Sequence, residues 1–151
     1  MLNQLNRNSI SNEIVTCATL IKVLTLRAFK EHNFEITPEQ FIILDVIINN
    51  EELYQRKLGK ILGKDRANVT RLLDILFKKG LIEKESSSNG RKINKIKITK
   101  KGEDLRNKIF PVISKVRQSY LNGIEYKDIE NCLKILNKIK ENISENTKLQ
   151  T

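Results

Sequence analysis

Hydrophobic residues recur at helical spacing from early in the chain. Ile10, Ile14, Cys17, Ala18 and Ile21, continued by Thr25 and Ala28, keep to one stripe and predict a long first helix. Ile36-Thr37-Pro38-Glu39-Gln40-Phe41 opens a second. Thr37 is placed to cap it, Pro38 to sit in its first turn, Gln40 to complete a capping box, and Ile36 with Phe41 to form a hydrophobic staple. This helix carries Phe41, Leu44 and Ile48 inward and runs to about residue 50. A short helix over 55–62 carries Leu58, Ile61 and Leu62 inward. Its Gly59 reads as a packing choice, because glycine costs a helix about 1 kcal/mol relative to alanine. Gly63 ends it, and Asp65 caps the next. There Val69, Leu72, Leu73 and Leu76 form one inward stripe, and Gly80 stops the helix. Residues 81–85 and 93–98 predict two short strands, with Ile96 and Ile98 alternating with Lys95 and Lys97. The loop between them carries an Asn-Gly turn signal. Thr99 caps a fifth helix, patterned by Leu105, Ile109, Val112, Val116 and Tyr120, with a kink expected near Pro111. After Gly123 a last helix over about 126–145 shows Ile129, Leu133, Leu136, Ile139 and Ile143, and a tail over 144–151 is expected to fray.

A short helix, a tight turn, a second helix and a basic hairpin make the layout of a winged helix-turn-helix, which places one helix in a DNA groove. The expected fold is mostly α with a small β wing, in a single domain over 1–151. Residues 36–100 form the DNA-binding part, and 8–34 with 103–146 form helical dimerisation parts. The terminal stripes exceed what the central core can cover, and a second copy of the chain is the simplest partner. Two-fold symmetry would set two recognition helices roughly 34 Å apart, one DNA turn.

Composition narrows the function. A chain of 151 residues suits one domain, and 39% hydrophobic with 30% charged residues is ordinary for a globular protein. The net charge of +10 and pI near 9.7 favour polyanions, nucleic acid first and anionic membrane second, against the plainer reading of a solvated lysine-rich surface. No apolar run is read as a membrane span of about 20 residues, and no signal-peptide core is read at the start, so a cytoplasmic protein without membrane contact is expected. Cys17 and Cys132 lie far apart, His32 is the one histidine, and together they offer no zinc spacing. Trp is absent and aromatics total 5%, which argues against a stacking platform for single strands. Without a nucleophile–base pair, paired carboxylates or a phosphate-binding glycine loop, no enzyme activity and no cofactor are expected.

Arg66, Ala67, Asn68, Thr70, Arg71 and Asp74 fall off the inward stripe of the helix after the turn. They could be a solvated face. Beside a capped helix-turn-helix and a basic hairpin they are better placed as base readers, since arginine forks onto guanine and asparagine onto adenine. Gln55, Arg56 and Lys57 open the preceding helix and suit phosphates.

The segment from Thr37 to Leu105 resembles the MarR family of bacterial transcriptional regulators. The resemblance is carried by Thr37-Pro38-Glu39-Gln40-Phe41, Leu58-Gly59, Leu62-Gly63, Val69-Thr70-Arg71-Leu72-Leu73-Asp74, Lys78-Lys79-Gly80-Leu81-Ile82 and Ile98-Thr99-Lys100-Lys101-Gly102. It implies a homodimer on a palindromic double-stranded DNA operator, usually repressing, with recognition helix 65–79 and wing 82–98. Where the family's wing usually carries Asp-Arg-Arg, Gly90-Arg91-Lys92 stands here; Arg91 and Lys92 are the wing's expected DNA contacts, without the steadying carboxylate. Tyr54 stands where the third helix usually starts with Ser or Thr. The resemblance also implies release by a small lipophilic effector, in a pocket built from Leu24, Ala28, Phe29 and Phe41 with Arg27 or His32 as polar anchor. The alternatives are a thiol sensor using Cys17 or a winged-helix module for protein or RNA; Cys132 is read as packing.

Overall fold

Thr37 starts a helix where the sequence says it should. In the computed structural model, which describes residues 4–50, 53–86 and 94–148 (4–8, 55–56, 85–86, 94 and 147–148 as backbone only), its hydroxyl accepts the Gln40 N–H at 3.3 Å. The Gln40 side chain accepts the Thr37 N–H in return, at 3.1 Å. Two of the first turn's orphan donors are thereby satisfied. The elements run α1 Gln4–Glu31, α2 Pro38–Ile48, α3 Gln55–Leu62, α4 Arg66–Lys78, β1 Ile82–Ser86, β2 Asn94–Ile98, α5 Lys100–Leu121 and α6 Tyr126–Lys148. The protein is mostly helical with one small antiparallel sheet, in which Ile82 faces Ile98 and Ser86 faces Asn94. Two compact units divide within α5, Met1–Val116 and Arg117–Thr151.

In the first unit the core joins Phe41, Ile43, Leu44 and Ile47 of α2, Leu58 of α3, Val69, Leu72, Leu73 and Leu76 of α4, and Ile82, Ile96, Ile109 and Ile113 beyond. Some inward assignments change. Ile43 and Ile47 are buried where Ile48 was expected, and Ile48 is half-buried. Ile61 is exposed rather than packed, leaving Leu58 as the anchor of α3. In α5 the buried residues are Gly102, Ile109 and Ile113, with Leu105, Val112 and Val116 half-buried. The α5 helix continues through Pro111, whose ring is exposed and whose missing N–H removes one helical bond. The strands lie one residue later than expected at their starts. A short third segment joins them: the Ile96 N–H donates to the Leu53 carbonyl at 3.0 Å, and Tyr54 bridges Lys95.

Turn chemistry holds α4 in place at both ends. Gly80 takes φ +68, the Leu81 N–H reaches the Leu76 carbonyl at 3.0 Å and the Gly80 N–H reaches Phe77 at 2.9 Å. This pair of bonds satisfies two of the last carbonyls of the helix, those of Leu76 and Phe77. Thr99 then ties the start of α5 to the same corner, its hydroxyl donating to the Gly80 carbonyl at 2.7 Å while accepting the Gly102 N–H at 3.1 Å. Arg106 of α5 donates through Nε and Nη2 to Asp45 Oδ1 of α2 at 2.9 and 2.6 Å and lies over the Phe110 ring. That pair is largely shielded from water and fixes α5 against α2.

The α1 helix differs from its expected single stripe. Val15, Leu20, Val23 and Leu26 lie off that stripe and are exposed, as are Ile10, Ile14 and Ile21 on it. Its segment Ser9–Glu31 is long and apolar enough to cross a membrane, which corrects the expectation that none was. Apolar positions interleaved with Ser, Thr and Asn around the whole circumference do not form a continuous run in the sequence. In the second unit α6 reaches Lys148, so residues 144–148 are helical rather than frayed. Its Leu133, Ile135 and Ile143 are exposed, as is Cys132, which is therefore not packed within the chain.

Candidate nucleic-acid interface

The turn between α3 and α4 is tight because Gly59 lets it be. A Cβ there would lie 3.2 Å from the Lys64 carbonyl oxygen and 3.8 Å from Val69 Cγ2. Gly63 follows with φ +60, a conformation that glycine adopts without strain. Lys64 Nζ meets Glu39 Oε1 of α2 at 3.2 Å and braces the turn. Asp65 then caps α4, accepting the Asn68 N–H on Oδ1 at 2.9 Å and the Asn68 side-chain amide on Oδ2 at 2.6 Å. The bond from the Asn68 N–H, followed by that from its side chain, holds the Asp65 carboxyl below its ordinary range.

One face of α4 is locked into the core and the other is open. Arg66, Ala67, Asn68, Thr70, Arg71 and Asp74 are all exposed, as the sequence pattern requires. The structure brings Arg66, Ala67, Thr70 and Arg71 together in one shallow concavity, continued along the helix by Asp74, Ile75 and Lys78. Ile75 and Lys78 were not among the expected site residues, although they lie one further turn along from Thr70, Arg71 and Asp74 on the same strip. Asn68 lies outside this strip, with its amide held by Asp65. Thr70 Oγ1 donates to the Arg66 carbonyl at 2.8 Å.

Lys57 is exposed on α3, and the Gln55 and Arg56 backbone forms that helix's first turn. Tyr54 precedes it in extended conformation without a side-chain capping bond. Arg91 and Lys92 lie outside the described residues, as does the Asn-Gly turn. Among the described residues no group of His, Cys, Asp and Glu is arranged to hold a metal.

The six residues expected to form an effector pocket separate into two sets. Ala28, Phe29 and Phe41 are buried, and the rings of Phe29 and Phe41 pack edge to face at 6.1 Å. Leu24 and Arg27 are exposed, with Arg27 paired to Glu31 at 2.8 Å. His32 stacks on Phe34, and its Nδ1 lies 2.9 Å from the Ala28 carbonyl. Cys17 is exposed on α1.

Comparison with known proteins places this geometry. The family model described as "MarR family" matches residues 36–93. A MarR-family transcriptional regulator from Listeria monocytogenes, solved with a 26-mer DNA, is 30% identical; the alignment covers 97% of this chain and 92% of that one, with a TM-score of 0.79. A SlyA-like transcription regulator from the same organism is 31% identical over 89% of each chain, with a TM-score of 0.74. The S. aureus MepR–DNA complex shares the fold at 20% identity and a TM-score of 0.76, covering 87% of this chain and 96% of that one.

Proposed function

The chain belongs to the MarR family of transcriptional regulators, and from that membership we propose that it is a homodimeric repressor that reads a palindromic operator through α4 and grips the flanking minor groove with the wing. It is a DNA-binding protein and not an enzyme. The observation that carries the proposal is the open face of α4. Arg66, Ala67, Thr70 and Arg71 share one concavity on a helix whose opposite face is buried and whose two ends are capped. A helix so held can enter a groove without losing its register.

The homodimer is supported by exposed apolar surface in each unit. In the first, Val15, Leu20 and Val23 of α1 are more than half exposed; in the second, so are Leu133, Ile135 and Ile143 of α6. A helix apolar on all sides calls for cover on several sides, and two-fold pairing supplies it alongside a two-fold operator. A cytoplasmic location follows from work on chromosomal DNA. A lipophilic effector would here have to displace the packed Phe29–Phe41 pair, since those rings already fill the core. It would release DNA only by binding the free arrangement more tightly than the bound one.

Two measurements test the reading. In a fluorescence-anisotropy titration on a selected operator, Arg71→Ala should cost about 1–3 kcal/mol and relax preference at one base position per half-site. Lys57→Ala should weaken all sequences alike, as a phosphate contact does. Unchanged preference in Arg71→Ala would mean that another face of α4 enters the groove. Second, a dimer neutralising roughly 6–10 phosphates should show log K falling against log salt with a slope of about −5 to −9. A flat response between low and physiological salt would argue against groove binding by this basic chain.

A further inference from the structure

Thr70 sits at the middle of the α4 strip, yet its hydroxyl is turned back onto the helix, donating to the Arg66 carbonyl at 2.8 Å. With its proton so engaged the oxygen can still accept but no longer donate, and beside it the side chain carries its Cγ2 methyl. Ala67, one turn earlier in the same concavity, offers nothing but a methyl. Arg66 and Arg71 flank this pair, and Asp74 follows on the same strip. Arg66, Arg71 and Lys78 outnumber that one carboxylate, so the charged positions of the strip can meet base edges or phosphates, while the two methyls can make only apolar contact.

We propose that α4 reads thymine by its 5-methyl group, against a methyl patch made by Ala67 and Thr70. The proposal rests on α4 being the recognition helix and names what that helix recognises. In the major groove thymine alone presents a methyl, on C5 next to the O4 acceptor, whereas cytosine has a bare C5–H there and an N4–H donor in place of O4. Two protein methyls closing over that group exclude water from all three. Burying one methyl-sized group is worth about a fourfold change in affinity. Arg71 at the margin remains free to engage guanine O6 and N7 or a phosphate, so the patch sets the identity of the base beside the arginine contact.

The test uses the full-length protein and an operator selected from a random duplex pool. Each thymine of that operator is replaced in turn by uracil, which removes the methyl and leaves the pairing edge intact. One thymine per half-site should be found where uracil costs about fourfold in Kd. At that position Thr70→Ser, which keeps the hydroxyl and removes the methyl, should cost a similar factor on thymine DNA and little more on uracil DNA. Thr70→Val, which keeps the methyl and removes the hydroxyl, should lose less than Thr70→Ser. Uracil tolerated at every position would overturn the proposal while leaving the operator reading intact. So would Thr70→Val losing more than Thr70→Ser, which would assign the reading to the hydroxyl. A wild-type chain that selects no sequence would overturn the recognition-helix reading and this proposal with it.

Discussion

A chain ending at Glu125 is expected to lose operator affinity by about a hundred- to ten-thousandfold, the factor that separates two linked half-site contacts from one. The first unit keeps its core in such a truncation, because Phe41, Leu44, Leu58, Leu72, Leu76 and Ile109 all precede the cut. What it loses is α6, whose Leu133, Ile135 and Ile143 are 55%, 61% and 61% exposed. Isolated exposed leucines are common on protein surfaces, but three on one helix, with Ile129, Leu136 and Ile139 half-buried beside them, form a band that a partner would cover. Without that partner each recognition helix meets its half-site alone, and the second contact is no longer intramolecular. Sedimentation of the truncated chain should show a monomer at micromolar concentration, and its gel shift should lose the specific band. A full-length Leu133→Asp, Ile143→Asp double variant provides the same comparison without shortening the chain. A truncated chain that stays dimeric and retains operator affinity would place the dimer elsewhere, and a full-length chain that sediments as a monomer would remove the premise.

The parts of this protein that were legible in its sequence are those decided by local chemistry. The start of α2 was readable because Thr37, Pro38 and Gln40 settle it among themselves. The bounds of α3 and α4 were readable because Gly63, Asp65 and Gly80 each do one job that few other residues do. Periodicity failed where a helix is apolar on most sides. The α2 helix carries Phe41, Ile42, Ile43, Leu44, Val46, Ile47 and Ile48, so spacing alone could not tell that Ile47 turns inward and Ile42 outward. The same ambiguity hid the full circumference of α1. Leu53–Tyr54 is too short to show alternation, and its pairing with β2 depends on where the chain returns. At the candidate interface the exposed residues of α4 were foreseeable from the complement of its buried stripe. The hydroxyl of Thr70 and the amide of Asn68 were not, because their partners are chosen by rotamer within the folded helix.

Gly102→Ala is expected to destabilise the protein by about 3 kcal/mol or more, the upper end of what overpacking costs a well-filled site. The sign is the opposite of what helix propensity gives, since an alanine in a helix is ordinarily better than a glycine by about 1 kcal/mol. Gly102 lies in the first turn of α5, where a Cβ would overlap the Leu81 carbonyl oxygen and stand 2.8 Å from Ile98 Cγ1. None of these neighbours can move cheaply. The Leu81 N–H is bonded to the Leu76 carbonyl at 3.0 Å, and its own carbonyl accepts the Thr99 N–H at 3.1 Å, so Leu81 is held from both sides. Ile98 ends β2 opposite Ile82, and displacing it shifts the ladder that leads to the wing. For a chain of this size such a loss lowers Tm by roughly 6–12 °C. Gly123→Ala provides the contrast: φ is +78 but nothing lies near the added methyl, so only the left-handed backbone is strained, at about 1–2 kcal/mol. Thermal unfolding of the two variants beside the wild type separates crowding from backbone strain. If Gly102→Ala melted at or above the wild-type temperature, the close approach of α5 to the corner joining α4 and β1 would be wrong. The path by which the start of α5 positions the wing against α4 would fall with it.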